Sequence, residues 1–503
     1  MGEPRCGRRS RRDVLHLGAV LGVAGTAASF LPVIACGTQP DTGDEIRTIR
    51  GRLEPGAPDW VYLPVNVPRG VREIEVVYRY DRPPVPPATP GNALDIGVFG
   101  PSGHQLGNHR GFRGWSGGFR DRFAISAGAA TPGYLPGPID SGTWHVILGP
   151  YTIAPPGMNY EVDVTLRYGP PDRPFQPTPA PERAIGRGRS WYRGDAHLHT
   201  VHSDGARTPS ELAARARQAR LDFVVSTEHN TPSASLIWGQ HAGPDLLIVD
   251  GEEVTTRSGH WLALGLAVGE WIDWRYRAEE PAEFRRFADQ VHRRGGLVVA
   301  AHPFCPFVGC PWEFGYDLTD AIEVWNGPWS ADDEASVQTW DRLLRHGRWL
   351  PAVGNSDAHR EPQVVGLPQT AVLAEGLTTD AVLDGLRAGR CYLAESADRE
   401  LSMTATDQRA IAGIGERLAV GPDHKVDVEV TATGVTGCTV RLIGAHGTVA
   451  VAAAAPDGSA TLRATTRPRD TGYLRAEVRN PLPTATTPDS MVAMSNPVFL
   501  GPH

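Results

Sequence analysis

The chain has 503 residues, 41% of them apolar and 21% charged, and a formal net charge of −8. That length exceeds one ordinary core, so several domains behind a leader are expected, and the balance of apolar and charged residues excludes a disordered chain. Lys425 is the only lysine, and the arginines are scattered outside the leader and the Arg183 to Arg193 stretch. This excludes an extended groove for a nucleic-acid backbone while leaving room for a short nucleotide substrate.

Residues 1–36 form the first segment. Ser10-Arg11-Arg12-Asp13 carries a twin arginine, an uncharged stretch of mostly apolar and small residues runs from Leu15 to Ala35, and Val33-Ile34-Ala35-Cys36-Gly37 closes it. The segment resembles a twin-arginine export signal ending in a lipobox. That reading makes Cys36 the lipidated first residue of a mature protein anchored at the outer face of a membrane, with the lipid as the only membrane contact. A true spanning helix is the alternative, weakened by Gly18, Gly22, Gly25 and Pro32.

Residues 37–168 alternate short β-rich runs with turns: Asp59 to Val65, Glu73 to Arg79, Ala93 to Val98, Thr143 to Leu148 and Tyr160 to Arg167. Strands at this spacing without helical periodicity predict an N-terminal β-sandwich. Residues 169–189 are a linker, with Pro170, Pro171, Pro174, Pro177, Pro179 and Pro181 favouring extended polyproline II.

From 190 to 398 strands and helices alternate. Thr208-Pro209-Ser210-Glu211 is a capping box with proline at the first helical position, opening a helix through Arg220. Strands are predicted at Leu221 to Ser226, Leu246 to Val249, Leu297 to Ala301, Ala321 to Trp325 and Pro351 to Val353, and helices at Pro281 to Arg294, Ala331 to His346 and Thr378 to Ala388. This is an α/β barrel pattern. Residues 399–503 return to strand alternation, at Val426 to Val430, Cys438 to Ile443, Ala460 to Ala464 and Tyr473 to Val478, and predict a C-terminal β-sandwich.

Nine metal-preferring side chains lie in order along the middle segment: His197, His199, Asp204, His229, Glu253, His260, His302, Asp357 and His359. Most follow apolar runs that read as strands, which would gather them at strand ends where ligand sites form. In an extended strand residues two apart share a face, so His197 and His199 would project together while Leu198 packs opposite, and Asp357 and His359 would repeat that geometry. In Glu252-Glu253 adjacent acids must point to opposite faces, so only one can be a ligand. Such a set implies a polynuclear metal centre. Taken singly, a His-Leu-His on a strand is more often surface or core decoration.

Cys305 and Cys310 stand in a Pro/Gly-rich loop, where a disulfide, a pair of free thiols and a separate zinc site are the open readings. Cys391 and Cys438 are expected to be buried. His241, His292 and His346 are expected to be solvated.

Gly194-Asp195-Ala196-His197-Leu198-His199-Thr200, Ser203-Asp204-Gly205, Thr227-Glu228-His229-Asn230, Gly251-Glu252-Glu253-Val254-Thr255, Ala301-His302-Pro303 and Asn355-Ser356-Asp357-Ala358-His359 resemble the motif series of the PHP (polymerase and histidinol phosphatase) superfamily. The pieces Leu221-Asp222-Phe223, Gly259-His260-Trp261 and Glu323-Val324-Trp325-Asn326-Gly327 are most similar to its carbaryl-hydrolase (CehA/McbA) branch. The resemblance implies a distorted (β/α)7 barrel, here flanked by the two sandwiches, holding two or three divalent ions. It assigns His197, His199, Glu253 and Asp357 to one ion, Glu253, His260 and His302 to a second, and Asp204, His229 and His359 to a third. Glu253 is chosen over Glu252 on this pattern. Glu228 departs from it, since the family more often has aspartate before the histidine, and the departure would alter a contact behind the ligands. Zinc, manganese and iron all suit such mixed imidazole and carboxylate sets.

A hydroxide bridging two such ions is a nucleophile at neutral pH, with Asp357, His359 and His302 as candidates for moving the proton. Asp195, His202, Asn230, Asn326 and Arg360 are candidate contacts to substrate or to the ligands. The expected activity is hydrolysis of an ester, carbamate or amide bond in a small molecule. The alternatives are a phosphoesterase acting on small phosphorylated molecules or nucleotide ends, for which Arg207, Arg257 and Arg360 lie near the motif loops, and an inactive, metal-stabilised protein that binds envelope polymers. Oligomeric state leaves no mark in the sequence.

Overall fold

The structure, a computed structural model, describes the backbone of residues 33–36 and residues 43–86 and 89–501. The twin-arginine leader and the predicted lipidation at Cys36 lie outside that description, apart from the strand path Val33–Cys36. Among the described residues no helix is long and apolar enough to cross a membrane. By its contacts the chain divides into two compact units: residues up to Pro177 together with Val201–Asp204, and residues Thr178–Thr200 with Gly205–His503.

The first unit is all β. Its strands are β1 (Val33–Cys36), β2 (Glu45–Leu53), β3 (Val61–Val67), β4 (Val71–Tyr80), β5 (Ala93–Phe99), β6 (Phe112–Gly117), β7 (Arg122–Ser126), β8 (Gly142–Thr152) and β9 (Met158–Tyr168). They form sheets of order β1-β2-β9-β4-β7 and β3-β8-β5-β6. Alternate residues such as Ile74, Val76, Val162, Val164, Leu63, Val65, Val146 and Leu148 make one apolar core, the pattern expected when each sheet has one buried face.

The second unit carries β10 (Ser190–Asp195), α1 (Pro209–Gln218), β11 (Phe223–Ser226), β12 (Leu247–Thr256), β13 (Gly259–Leu264), α2 (Pro281–His292), β14 (Leu297–Ala300), β15 (Ala321–Asn326), α3 (Ala331–Arg345), β16 (Ala352–Asn355), β17 (Gln369–Ala374), α4 (Thr379–Arg387) and β18 (Cys391–Ala394). Caps start three of these helices, the first of them the one expected from the sequence. Thr208 and Glu211 complete a capping box, as do Ser330 and Asp333, and Thr378 accepts from Ala381 N–H. Strand order runs β16-β15-β14-β13-β12-β11-β10-β17-β18, with β13 antiparallel to both neighbours.

The expected (β/α)7 barrel is corrected in two respects. Only three of the six connections from β10 to β16 contain an α-helix, because β12 and β13 form a hairpin, 3-10 turns join β11 to β12, and a loop joins β14 to β15. The sheet curls, but β16 and β10 pair only beyond their ends, through a parallel bridge between Leu198 and Ala358 and the bond from Asp357 N–H to His197 O (2.9 Å). The unit is a mixed, sheet-rich α/β body whose first and last motif segments are stitched to each other.

The C-terminal strands continue this sheet. β19 (Glu400–Thr406), β20 (Ile411–Gly413), β21 (Arg417–Leu418), β22 (Val426–Thr433), β23 (Thr439–Gly444), β24 (Gly447–Ala453), β25 (Ala460–Thr466), β26 (Tyr473–Asn480), β27 (Ser490–Ser495) and β28 (Val498–Leu500) include a second sheet, β20-β19-β22-β25. That sheet packs through Met403, Val428, Val430 and Leu462 onto Val440, Leu442, Ala476 and Val478. β27 pairs with β18, so β27-β26-β23-β24 extend the curled sheet without a break. A buried charge network holds β26 to α3: Arg475 pairs with Asp341 and Glu477, and Arg479 with Glu477 and Glu334.

Candidate metal centre

The His-Leu-His motif lies just past β10 rather than within it, as does Asp357 past β16. Gly194 lets this end of β10 close on its neighbour, since a Cβ there would sit 2.1 Å from the Phe223 ring. Gly205 likewise approaches the His199 backbone, where a Cβ would come within 2.5 Å. Three residues at the site, Asn230 (φ 55°), His302 (φ 27°) and Asp357 (φ 48°), adopt left-handed backbone without being glycine. Conformations of this kind cost on the order of 1–3 kcal/mol each and persist where the surroundings hold them, commonly at ligand sites. Asp357 therefore reaches His199 by a backbone turn and not by strand alternation.

Glu253 is the hub. Its Oε2 lies 3.2 Å from His197 Nε2, 3.3 Å from His199 Nε2 and 2.9 Å from His229 Nδ1, while Oε1 lies 2.8 Å from His260 Nδ1 and 3.1 Å from His302 Nε2. Asp357 Oδ1 is 3.1 Å from His199 Nε2 and 3.4 Å from His359 Nδ1. One ligand atom each from His197, His199, Glu253 and Asp357 falls within 4.8 Å of the others, and the same holds for His199, His229 and His359. Within the second unit eight of the nine motif side chains are thus brought together, while Asp204 closes the Val201–Asp204 segment that belongs to the first. Glu252 turns away, accepting from Ile272 N–H (3.1 Å).

Behind the cluster stand carboxylates and amides that hold it. Glu323, which no motif in the sequence marked as part of the site, is fully buried and accepts from His197 Nδ1 (3.1 Å), His302 N–H (2.9 Å), Asn355 Nδ2 (2.9 Å) and Asn326 Nδ2 (3.0 Å). Only its place in Glu323-Val324-Trp325-Asn326-Gly327 signalled it. Asp195 accepts from the backbone N–H groups of Ser356 (3.0 Å) and Gly366 (2.8 Å). Glu228 accepts from Thr200 N–H (3.1 Å), which is a contact behind the ligands. Asn230 is spent on β12, its Oδ1 accepting from Thr255 N–H (2.7 Å). His202 is buried, and the Arg360 N–H donates to Gln363 Oε1 (3.1 Å). His292 is exposed, as expected, and meets Asp320 at 2.7 Å. Cys391 and Cys438 are buried and free, and Cys305 and Cys310 are joined by a disulfide.

The donor set fits divalent cations. His260 Nε2 is buried without a hydrogen-bond partner, and His197 Nε2 faces Glu253 Oε2 at 3.2 Å without hydrogen-bond geometry, a costly arrangement unless a cation completes it. Burial pushes the Glu253 carboxyl up, but His229, His197 and His260 outweigh it and hold the group well below the usual range. Burial pulls the two strand-end histidines down, yet Asp357, Glu323 and Glu253 raise His197 well above its ordinary value, and Asp357 and Glu253 raise His199 to about 10. At His260 burial prevails, and its value falls to about 4. Protons on His197 and His199 thus occupy positions a cation would take.

No protein-family model matches the chain. It is 26% identical over 149 residues, 27% of this chain and 81% of the relative, to an uncharacterised protein (MJ1587) of Methanocaldococcus jannaschii. Among solved structures it is similar to a two-domain protein of Bacteroides vulgatus containing a predicted PHP-like metal-dependent phosphoesterase (17% identity, TM-score 0.34, 66% of this chain and 100% of that one). It is also similar to an amidohydrolase of Chromobacterium violaceum (20% identity, TM-score 0.25, 34% and 89%). Likenesses this distant assign neither fold nor activity, so the functional reading rests on the residues.

Proposed function

We propose that the chain is a metal-dependent hydrolase of the PHP superfamily that cleaves an ester, carbamate or amide bond in a small molecule. The observation that carries this reading is Glu253, one carboxylate whose two oxygens face five imidazoles. Two or three divalent ions, of zinc, manganese or iron, suit the three ligand sets. Such ions supply Lewis acidity and acidify a water molecule near neutral pH.

The chain's own residues do the rest. Glu323 fixes the His197 ring through Nδ1, which turns Nε2 toward Glu253. Asp357 and His359, in contact at the cluster's edge, are placed to move a proton to the leaving group, and His302 is a further candidate. Arg207, one of the three arginines near the motif loops, already donates through Nη2 to Glu361 Oε1 (3.2 Å) and Gln363 O (2.6 Å), which supports an uncharged substrate over a phosphate at that arginine. Exposed Phe304 and Val308, on the loop after His302, offer apolar contact to such a substrate. We also propose export by the twin-arginine route with lipidation at Cys36, tested by mass spectrometry of the mature N-terminus.

The test of the activity is elemental analysis of the purified protein beside assays with naphthyl esters, naphthyl carbamates and nitrophenyl phosphate. Bound metal with ester or carbamate turnover supports the proposal, and phosphate turnover alone replaces it with the phosphoesterase reading. Stoichiometric metal without any turnover points to the envelope-binding scaffold.

A further inference from the structure

His302 is followed by a loop that returns to the metal centre. Backbone bonds pin it there: Gly259 N–H to Gly309 O (3.0 Å), Trp312 N–H to Pro303 O (3.0 Å) and Glu313 N–H to Ser258 O (3.0 Å). Within it Cys305 and Cys310 are disulfide-bonded, and Cys310 Sγ lies 3.5 Å from His302 Nδ1. The sulfur therefore addresses the edge of the ring opposite to Nε2, which faces Glu253. Cys310, His302 and His260 each place a ligand atom within 4.8 Å of the others, and His260 Nε2 is buried without a hydrogen-bond partner.

A disulfide sulfur is a poor ligand, whereas a thiolate beside two imidazoles is a strong set for zinc or cobalt. We propose that the Cys305–Cys310 disulfide caps a further metal-binding set, and that its reduction frees Cys310 to bind a divalent ion together with His260 and His302. A dithiol supplies two electrons and two protons: the S–S bond breaks, both cysteines become thiols and the reductant closes to its own disulfide. Cys310 releases its proton to solvent when its sulfur takes the ion. The backbone bonds that pin the loop keep Cys310 beside His302 after the covalent link is gone. An ion on the sulfur side uses His302 through Nδ1 and competes with Glu253 for the same ring, so the thiol state sets how the centre is loaded. The inference rests on the metal-centre reading only for that competition.

The test uses the full chain with cobalt(II), followed by the near-ultraviolet thiolate-to-cobalt absorption band. The oxidised parent should lack the band. The parent reduced and then freed of reductant should show it, Cys305→Ser should show it with no reductant, and Cys310→Ser should lack it in either state. Adding cobalt to the reduced parent should also remove one thiol from reaction with an alkylating reagent. Absence of the band in the reduced parent, or an equal band in Cys310→Ser, overturns the proposal. Should Cys305→Ser fail to fold, the reduced parent decides alone. Cobalt content of the oxidised parent reports separately on the proposed function: no uptake there sinks that reading, while the band still decides this one.

Discussion

Glu323→Ala should loosen the metal centre although it alters none of the nine motif side chains. The buried carboxylate accepts from His197 Nδ1, His302 N–H and the amides of Asn355 and Asn326, all at 2.9–3.1 Å. Groups that orient a ligand from behind are typically worth about 10- to 100-fold in metal affinity or activity, or about 1.4–2.7 kcal/mol. Truncation also strands these donors, at about 1–3 kcal/mol for each that water does not reach. Glu323→Gln should do little better. Oε1 meets His197 and Asn355, and Oε2 meets His302 and Asn326, so an amide NH2 in either orientation faces donors. Competition against a metal chelator, with circular dichroism to confirm folding, measures the effect. Metal affinity within twofold of the parent in both variants would refute the reasoning.

Glu253→Ala should lose more than one metal equivalent and, at several kcal/mol of lost charge stabilisation, about a thousandfold or more in turnover. Glu252→Gln should retain its metal, because Glu252 turns away from the cluster toward Ile272 N–H and burial raises its carboxyl well above its ordinary value; equal metal content in both variants would contradict the assignment. Since His197 and His199 are held protonated when no cation is present, metal uptake should release protons and its affinity should rise with pH, which calorimetry in buffers of different protonation enthalpy reads directly. Glu477 is pushed up by burial but brought down to about 2 by Arg475 and Arg479. A depressed value stabilises the fold above the unfolded glutamate value of ~4.3 and loses that support as pH falls through the folded one, about 3 kcal/mol in all. Glu477→Gln should lower stability at pH 7 and flatten the acid unfolding slope in that window, checked by urea titration at several pH values.

The helices were legible because their signals are local. Pro281–His292, Ala331–Arg345 and Thr379–Arg387 lie within a residue or two of the predicted ranges. β13 and β18 escaped because each is buried along its whole length, and β17 because all of it but Leu373 is buried, so no exposed polar alternation marks them. The pairing of β18 with β27 joins residues about a hundred positions apart and has no local signal. Within the site, the spacing of His197 and His199 suggested a shared face, but nothing in Asn355-Ser356-Asp357 announced the left-handed backbone that turns Asp357 inward. Beyond its place in Glu323-Val324-Trp325-Asn326-Gly327, a lone acid such as Glu323 on an apolar strand gives no sign of its role, which arises only when Asn355, Asn326 and His302 are folded around it.

Anomalous diffraction from crystals of the protein loaded with zinc or manganese tests the central claim most directly. Peaks at about 2.0–2.2 Å from ligand atoms are predicted among His197, His199, Glu253 and Asp357, and between Glu253, His260 and His302. Peaks confined to the surface, with the imidazoles still resting on the bare Glu253 carboxylate, would contradict it.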